Sequence, residues 1–309
     1  MGGDNETLVT EFVLLGLSNH PWAQAVMFWL LLPTYLLTLL GNGLMVVLIV
    51  IDPHLHTPMY FFLSNLSFLD VVYTTSSVPQ ILANMFARRP TISFARCMAQ
   101  MYISLLLGTA ECFLLAVMAY DRFAAVCTPL RYTLIMNWRV CVWLATVSWS
   151  SAVVMTLIPI LMQPKHLCSH VINHFACELR VFLKLDCSNT HHSEISAMFN
   201  SIPILLVPFG FIVVTYVRIG LAVLRVRSSQ GRGKAFSTCG SHLAVVSMFY
   251  GTAMAMYLQP PGKTASDLDK ILSLFYGAVT PMLNPLIYSL RNKDVKGALL
   301  RVMGKKSSD

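Results

Sequence analysis

The chain has 309 residues, of which 56% are hydrophobic and 12% charged, where a soluble domain carries about 25% charged residues. Lys and Arg number 22 against 14 Asp and Glu, a net charge of +8, and these charges crowd into short stretches between long uncharged ones. That distribution argues against a water-soluble fold, and the little chain left outside the apolar runs argues against a catalytic domain, a nucleotide-binding cassette or a DNA-binding module.

In chain order, residues 1–22 read as an acidic, unanchored extracellular tail carrying the glycosylation sequon Asn5-Glu6-Thr7. The first Lys or Arg is Arg88, so the basic leader of a secretory signal peptide is missing and the first span is expected to direct insertion. Runs free of Asp, Glu, Lys and Arg extend over Ala23–Ile51, Val140–Gln163, Ile195–Val217, Ala235–Gly262 and Ile271–Leu290. Met59–Met85 and Met98–Tyr120 are equally apolar except for one acid each, Asp70 and Glu111. A hydrocarbon core of about 30 Å takes roughly 20 helical residues. We therefore expect an all-α membrane protein, a bundle of seven transmembrane helices over residues 23–291, with a long extracellular loop at 163–194 and a cytoplasmic segment at 292–309.

Basic residues choose the orientation. With the N-terminus outside, fourteen of the 22 fall on the cytoplasmic side: Arg122, Arg131 and Arg139; Arg218, Arg225, Arg227, Arg232 and Lys234; and Arg291, Lys293, Lys296, Arg301, Lys305 and Lys306. The positive-inside rule supports N-out, C-in. Such a face suits anionic lipid and an acidic cytosolic partner, not nucleic acid.

Cys97, Cys168, Cys177 and Cys187 then lie outside, where disulfides persist, and these four allow three pairings. Cys112, Cys127, Cys141 and Cys239 fall in spans or near the cytosol and read as small buried hydrophobes. In the long loop His166, His170 and His174 recur every four residues; on a helix they share a face and can ligate a divalent ion, and otherwise they are ordinary exposed loop histidines.

Asp70 and Glu111 are the residues that composition does not excuse. An ionisable group in a membrane core costs several kcal/mol unless it faces water, a cation or a partner. Two acids can share a proton or a sodium ion, serve as an ion- or proton-conducting relay, or sit neutral and hydrogen-bonded to neighbours such as Asn42 or Asn284. An intramembrane aspartyl protease needs two Asp, and Glu111 argues against it.

Five strings at span ends are more specific than any one residue. They are Gly41-Asn42; Leu55-His56-Thr57-Pro58-Met59-Tyr60 with the following Ser64-Asn65-Leu66-Ser67; Met118-Ala119-Tyr120-Asp121-Arg122-Phe123 followed by Cys127 and Pro129-Leu130-Arg131-Tyr132; Lys234-Ala235-Phe236-Ser237-Thr238-Cys239-Gly240-Ser241-His242; and Pro281-Met282-Leu283-Asn284-Pro285-Leu286-Ile287-Tyr288. On all five, in order and at these spacings, the chain resembles an olfactory (odorant) receptor of the rhodopsin-like G-protein-coupled class, of the tetrapod-type group, over nearly its whole length.

That resemblance implies a set of roles. Asp121 and Arg122 match the ionic pair that holds the resting state until the arginine meets the G protein, a pair near a water boundary and worth little as stability. Tyr216 and Tyr288 match tyrosines that close around the arginine on activation. Asn284 with Pro285 matches a kink in the seventh span, where the asparagine re-satisfies backbone groups freed by proline. Asp70 and Glu111 match acids of a central sodium and water site. The resemblance also implies disulfides Cys97–Cys177 and Cys168–Cys187, folding the loop over the pocket as a lid. Phe123 replaces the usual tyrosine, Thr215 precedes Tyr216 where serine is commoner, and the lid string His174-Phe175-Ala176-Cys177-Glu178-Leu179-Arg180 departs from the family's usual one.

For the ligand, counting back from Arg122 at 3.6 residues per turn places Met101, Ser104, Leu105, Gly108 and Thr109 on or beside one stripe. The resemblance adds Asn200 and Ile204 from the fifth span, Tyr250, Ala253, Met254 and Tyr257 from the sixth, and Leu274 and Gly277 from the seventh. This set has no acid or base, and the two glycines leave room for a ligand or let helices approach closely. It suits a small, neutral volatile held by burial and one or two hydrogen bonds, Tyr257 first among them. The resemblance further implies an olfactory-type stimulatory G protein, cyclic AMP as the output, no enzymatic activity, and the plasma membrane of olfactory sensory cilia, with a trafficking chaperone as a further partner. After the seventh span, Val295, Leu299 and Val302 recur at helical spacing beside Lys296 and Arg301, a short amphipathic helix on the inner leaflet with no cysteine to carry a palmitoyl chain.

Overall fold

The computed structural model describes residues 10–17, 20–161, 167–187, 190–225, 229–260, 267–290 and 292–304. Asn5, His166, Arg227, Arg291, Lys305 and Lys306 lie outside the described residues, as do the side chains of Arg232 and Lys234.

Strand β1 (Glu11–Leu14) precedes helix α1 (Pro21–Ile51), and α2 (Pro58–Asn84) follows a short 3-10 turn at Pro53–Leu55. Both helices open on proline, whose missing N–H is one of the donors a first turn leaves unpaired in any case. Strand β2 (Thr91–Ser93) runs into α3 (Phe94–Cys127), where the Ser93 hydroxyl accepts the Arg96 N–H at 3.4 Å. A single turn, α4 (Tyr132–Ile135), leads to α5 (Trp138–Leu161), capped by the Asn137 side chain on the Val140 N–H at 3.1 Å. The long loop holds β3 (Val171–Ile172) and α6 (Leu179–Leu183), and α7 (Thr190–Leu224) and α8 (Ser229–Tyr257) follow. The seventh pass joins α9 (Asp267–Leu274), a π-helical turn at Phe275–Val279 and α10 (Thr280–Leu290); α11 (Lys293–Val302) comes last.

These elements make the seven passes α1, α2, α3, α5, α7, α8 and α9–α10. Five of the passes are long and apolar enough to cross a bilayer on their own composition: Trp22–Ile51, Phe94–Cys127, Trp138–Leu161, His191–Leu224 and Asp267–Ser289. The pass α2 is long enough but more polar, and its polar groups Ser67, Asp70 and Thr74 turn inward and are buried. Outward faces are apolar, with Trp22 71% and Trp29 70% exposed beside Leu40 and Val50. A belt of that kind fits lipid as its solvent and aggregates in water.

The N-terminal tail, expected to be unanchored, is tied down from Glu11 onward. Its strand lies between the other two in the order β2-β1-β3, antiparallel to β2 with Phe12 opposite Ile92, and parallel to β3 with Leu14 opposite Ile172. Alternation along the strand turns Phe12 and Leu14 inward, where both are buried, and Phe12 meets Phe182 of α6 edge-on at 5.9 Å. The expected histidine face does not form, because the chain around His170 and His174 is strand and turn, not helix. His174 is buried, its Nδ1 accepting the Ala176 N–H at 3.2 Å, and among the described residues no group of three or more His, Cys, Asp and Glu is placed to hold a metal ion.

The amphipathic segment after the seventh pass is helical as expected. Asn292 caps α11 through the Asp294 N–H at 2.9 Å, and Val295 and Ala298 are buried in one core with Leu55. Val302 points away and is exposed. Arg301 reaches back to Asp52 at the end of α1, its Nε donating to Oδ2 at 2.9 Å. Burial acts to raise the Asp52 carboxyl, but the His54 N–H, the Arg301 guanidinium and the His54 ring outweigh it and hold the group below its ordinary 3.8.

Candidate functional site

Beneath the lid a cavity of about 510 Å³ lies among α3, α5, α7, α8 and the π-helical turn. Eight of the residues read from sequence line it: Ser104, Leu105, Gly108, Thr109, Asn200, Ile204, Ala253 and Tyr257. Five do not. Met101 is fully buried against the lid beside Cys97 and Leu179, and Tyr250 donates its hydroxyl to the Cys112 carbonyl at 3.0 Å below the cavity. Met254 packs as a partly buried core residue, while Leu274 and Gly277 line a neighbouring cavity under Phe175. Met101 is the outermost member of the counted α3 stripe, where the lid covers it, and Gly277, expected from the resemblance, lies within the π-helical turn Phe275–Val279, which shifts side chains there relative to a straight helix. Tyr276, unread in the sequence, enters the cavity wall instead, together with Thr156, Pro159, Leu179, Ser201 and Phe249.

Gly108 is small for a different reason than ligand space. A Cβ there would stand 2.6 Å from the Tyr276 hydroxyl, so the glycine admits the tyrosine. Gly277 similarly lies against the Tyr73 ring, 3.3 Å from a Cβ position.

Both implied disulfides are present, Cys97–Cys177 and Cys168–Cys187, and they bind the lid to the top of α3 and to itself. Polar contacts complete the roof. Gln100 accepts the Cys177 N–H at 2.8 Å and donates to the Ser76 carbonyl at 3.2 Å. The Ser273 hydroxyl donates to Glu178, and Arg180 donates to the Met256 carbonyl, so adjacent lid residues clasp the seventh and sixth passes.

Below the cavity lies a buried polar chamber. Asn284 Nδ2 donates to Asp70 Oδ2 at 2.9 Å, leaving Asp70 Oδ1, Glu111 Oε1 and Asn284 Oδ1 without partners among the described residues. Asn284 therefore does not re-satisfy the proline break. Pro285 has no N–H for the carbonyl four residues earlier, that of Pro281, and Asn42 Nδ2 takes that carbonyl at 3.0 Å. Gly41 permits the approach, since a Cβ there would fall 2.9 Å from the Pro285 ring. The Gly41-Asn42 string is thus the complement of the Asn284-Pro285 string.

At the cytoplasmic end Arg122 Nε donates to Asp121 Oδ2 at 3.0 Å, with a second nitrogen on the same oxygen, and the Tyr132 hydroxyl donates to Asp121 Oδ1 at 2.7 Å. Asp121 is completely buried, so this is not the water-exposed pair expected from sequence, and loss of its partners leaves a charge in a dry site. Tyr216 and Tyr288 stand near, Tyr288 with its hydroxyl unpartnered among the described residues. His242, the last residue of the string that opens the sixth pass, supplies a link to which the sequence assigned no role: its Nε2 meets the Leu115 carbonyl at 3.1 Å and its Nδ1 the Tyr216 hydroxyl at 2.7 Å. A carbonyl only accepts, so in the neutral ring Nε2 carries the proton and Nδ1 accepts from Tyr216. The imidazole joins α3, α7 and α8.

A family model described as olfactory receptor matches residues 31–306. The chain is 54% identical over 308 residues to Olfactory receptor 13H1 of Homo sapiens, covering 99% of this chain and 100% of that one. It is 47% identical to Olfactory receptor 2K2 of Homo sapiens, with 99% and 97% covered, and 48% identical to Olfactory receptor 2A7 of Mus musculus, with 97% and 98% covered. The bundle and these full-length matches agree, and the chain belongs to the olfactory receptor family, multi-pass and non-enzymatic G-protein-coupled membrane receptors for odorants.

Proposed function

We propose that this receptor binds a small, neutral, mostly apolar volatile in the cavity beneath the lid and activates an olfactory-type stimulatory G protein, raising cyclic AMP. The observation that carries the reading is the lining of that cavity, which joins apolar walls to the hydroxyls and amides of Ser104, Thr109, Asn200 and Tyr257 and includes no charged side chain among the described residues. Burial supplies affinity there and one or two hydrogen bonds supply orientation. Ligand that favours one packing of α7, α8 and the seventh pass shifts the population toward a form in which Arg122 leaves Asp121 for the G protein. The Asp70 and Glu111 chamber, with its unpartnered oxygens, would hold a sodium ion or water in the resting form. The site of action is the plasma membrane of olfactory cilia, reached with the help of a trafficking chaperone, and Asn5 carries the glycan.

Cyclic AMP in cells expressing the chain with that G protein, exposed to a panel of volatiles and stained for surface protein, tests the reading. A response is expected, with Arg122→Ala abolishing it at equal surface level and Tyr257→Phe shifting it about tenfold to the right, the consequence of one lost hydrogen bond. Surface protein that gives no cyclic AMP but passes an acid-dependent current abolished by Asp70→Asn would instead establish the conducting relay.

A further inference from the structure

A second cavity, of about 460 Å³, lies at the outer edge of the bundle between the N-terminal strand, α1, α2 and the lid. It shares no lining residue with the cavity beneath the lid. Its walls are largely apolar, from Leu17, Met27, Ile81, Met85 and Phe175, and two side-chain amides, those of Gln24 and Asn84, interrupt them. Asn84 Oδ1 accepts from Gln80 at 2.9 Å, which fixes the amide's orientation, while its buried Nδ2 has no acceptor among the described residues. A buried N–H donor without an acceptor is unfavourable, and an incoming acceptor oxygen relieves it.

We propose that this cavity is a second ligand site, for a small apolar molecule carrying a carbonyl or ester oxygen that accepts from Asn84 Nδ2. A largely apolar cavity that offers an unpaired amide donor at Asn84 selects ketones, aldehydes and esters over hydrocarbons, which leave that donor unpaired, and over amines and carboxylates, which bring a charge into apolar walls. The site is coupled to the first. Phe175 and Ile81 are common walls of this cavity and the middle one under the lid, and Ser104 is a common wall of the middle cavity and the main one. A ligand against Phe175 therefore bears on the lid segment that runs through Cys177 to the Glu178 and Arg180 clasp.

The test uses the full-length purified receptor and a medium-chain aliphatic ketone carrying a photoreactive diazirine, with adducts mapped by mass spectrometry. Adducts are expected on the peptides containing Leu17, Met27 and Met85 as well as on those lining the main cavity. Asn84→Leu is expected to lower the first set about tenfold, the loss of one hydrogen bond, and to leave the second unchanged, which also reports that the variant is folded. Met27→Trp, which fills the cavity without touching the amide, is expected to do the same. Adducts confined to the main cavity, adducts at the outer site that neither variant reduces, or equal labelling by a diazirine alkane without the carbonyl would each overturn the proposal.

Discussion

At the outer end of the bundle, Cys97 on α3 is bonded to Cys177, Cys168 to Cys187, a three-stranded sheet spans the roof, and Glu178 and Arg180 hold the seventh and sixth passes. At the inner end the polar contacts are single hydrogen bonds and one ion pair: Tyr216 on His242 on Leu115 joins α7, α8 and α3, while Arg122 within α3 and Tyr132 of α4 hold Asp121. Covalent ties fix distances, whereas polar contacts of this kind can be exchanged for others at similar free energy. A ligand entering the outer cavity meets walls that shift little, and the motion it biases is expected at the inner end, where partners are exchangeable.

Breaking the outer ties should have the largest effect. Cys97→Ser opens a loop of sequence separation 80, and we expect it to cost about 2–4 kcal/mol and most surface expression, read by thermal unfolding and surface staining. Cys168→Ser opens a separation of 19 and should cost less, because the entropy released to the unfolded chain grows with loop length. Next comes the inner link. His242→Phe leaves the partly buried Tyr216 hydroxyl without its partner and takes the second hydrogen bond from the Leu115 carbonyl, which keeps its place in the α3 ladder, an expected loss of about 1 kcal/mol in thermal stability with the outer disulfides intact. Asp121→Asn removes the charge that holds Arg122, and basal cyclic AMP is expected to rise about fivefold, at the low end of allosteric couplings.

The smallest effect concerns α11. Because the folded Asp52 carboxyl sits below its ordinary value, its contribution is present above that value and is lost as pH falls through the lowered one. The stability difference between wild type and Asp52→Asn should therefore shrink as pH falls below the ordinary carboxylate range, with Arg301→Ala weakening that pH dependence and the His54 N–H sustaining the rest.

Charge-poor runs located all seven passes, five of them apolar enough to stand on hydropathy alone, because lipid demands long apolar runs whatever their neighbours. Hydropathy failed at Glu11–Leu14, too short a strand to stand out and stabilised only by β2 and β3, which are distant in sequence. Motif strings marked Asp70, Asp121, Asn284 and Pro285, and Asn42 and Asn284 stood as candidate partners for the membrane acids; that Asn284 is the one that goes to Asp70, while Asn42 takes the carbonyl freed by Pro285, depends on how α1, α2 and α10 pack. On α3 a regular helix kept most of the counted stripe in register: Ser104, Leu105, Gly108 and Thr109 reach the main cavity, while Met101, one turn further out, packs under the lid. In the seventh pass Leu274 and Gly277 line the next cavity, and Tyr276, inside the π-helical turn, enters the main one. His242 was marked in the sequence as the end of a motif string, but its two partners lie on other helices and could not be read from it.

The contrast between a tied outer end and an exchangeable inner end is most directly tested by paired spin labels on α3 and α8, one pair at the outer ends and one at the cytoplasmic ends. Distances would be measured by electron–electron double resonance in the receptor alone and with an activating volatile and G protein. The cytoplasmic pair is expected to lengthen on activation while the outer pair keeps its distance. An outer pair that moves as far as the inner one, or an inner pair that stays fixed while cyclic AMP rises, would contradict it.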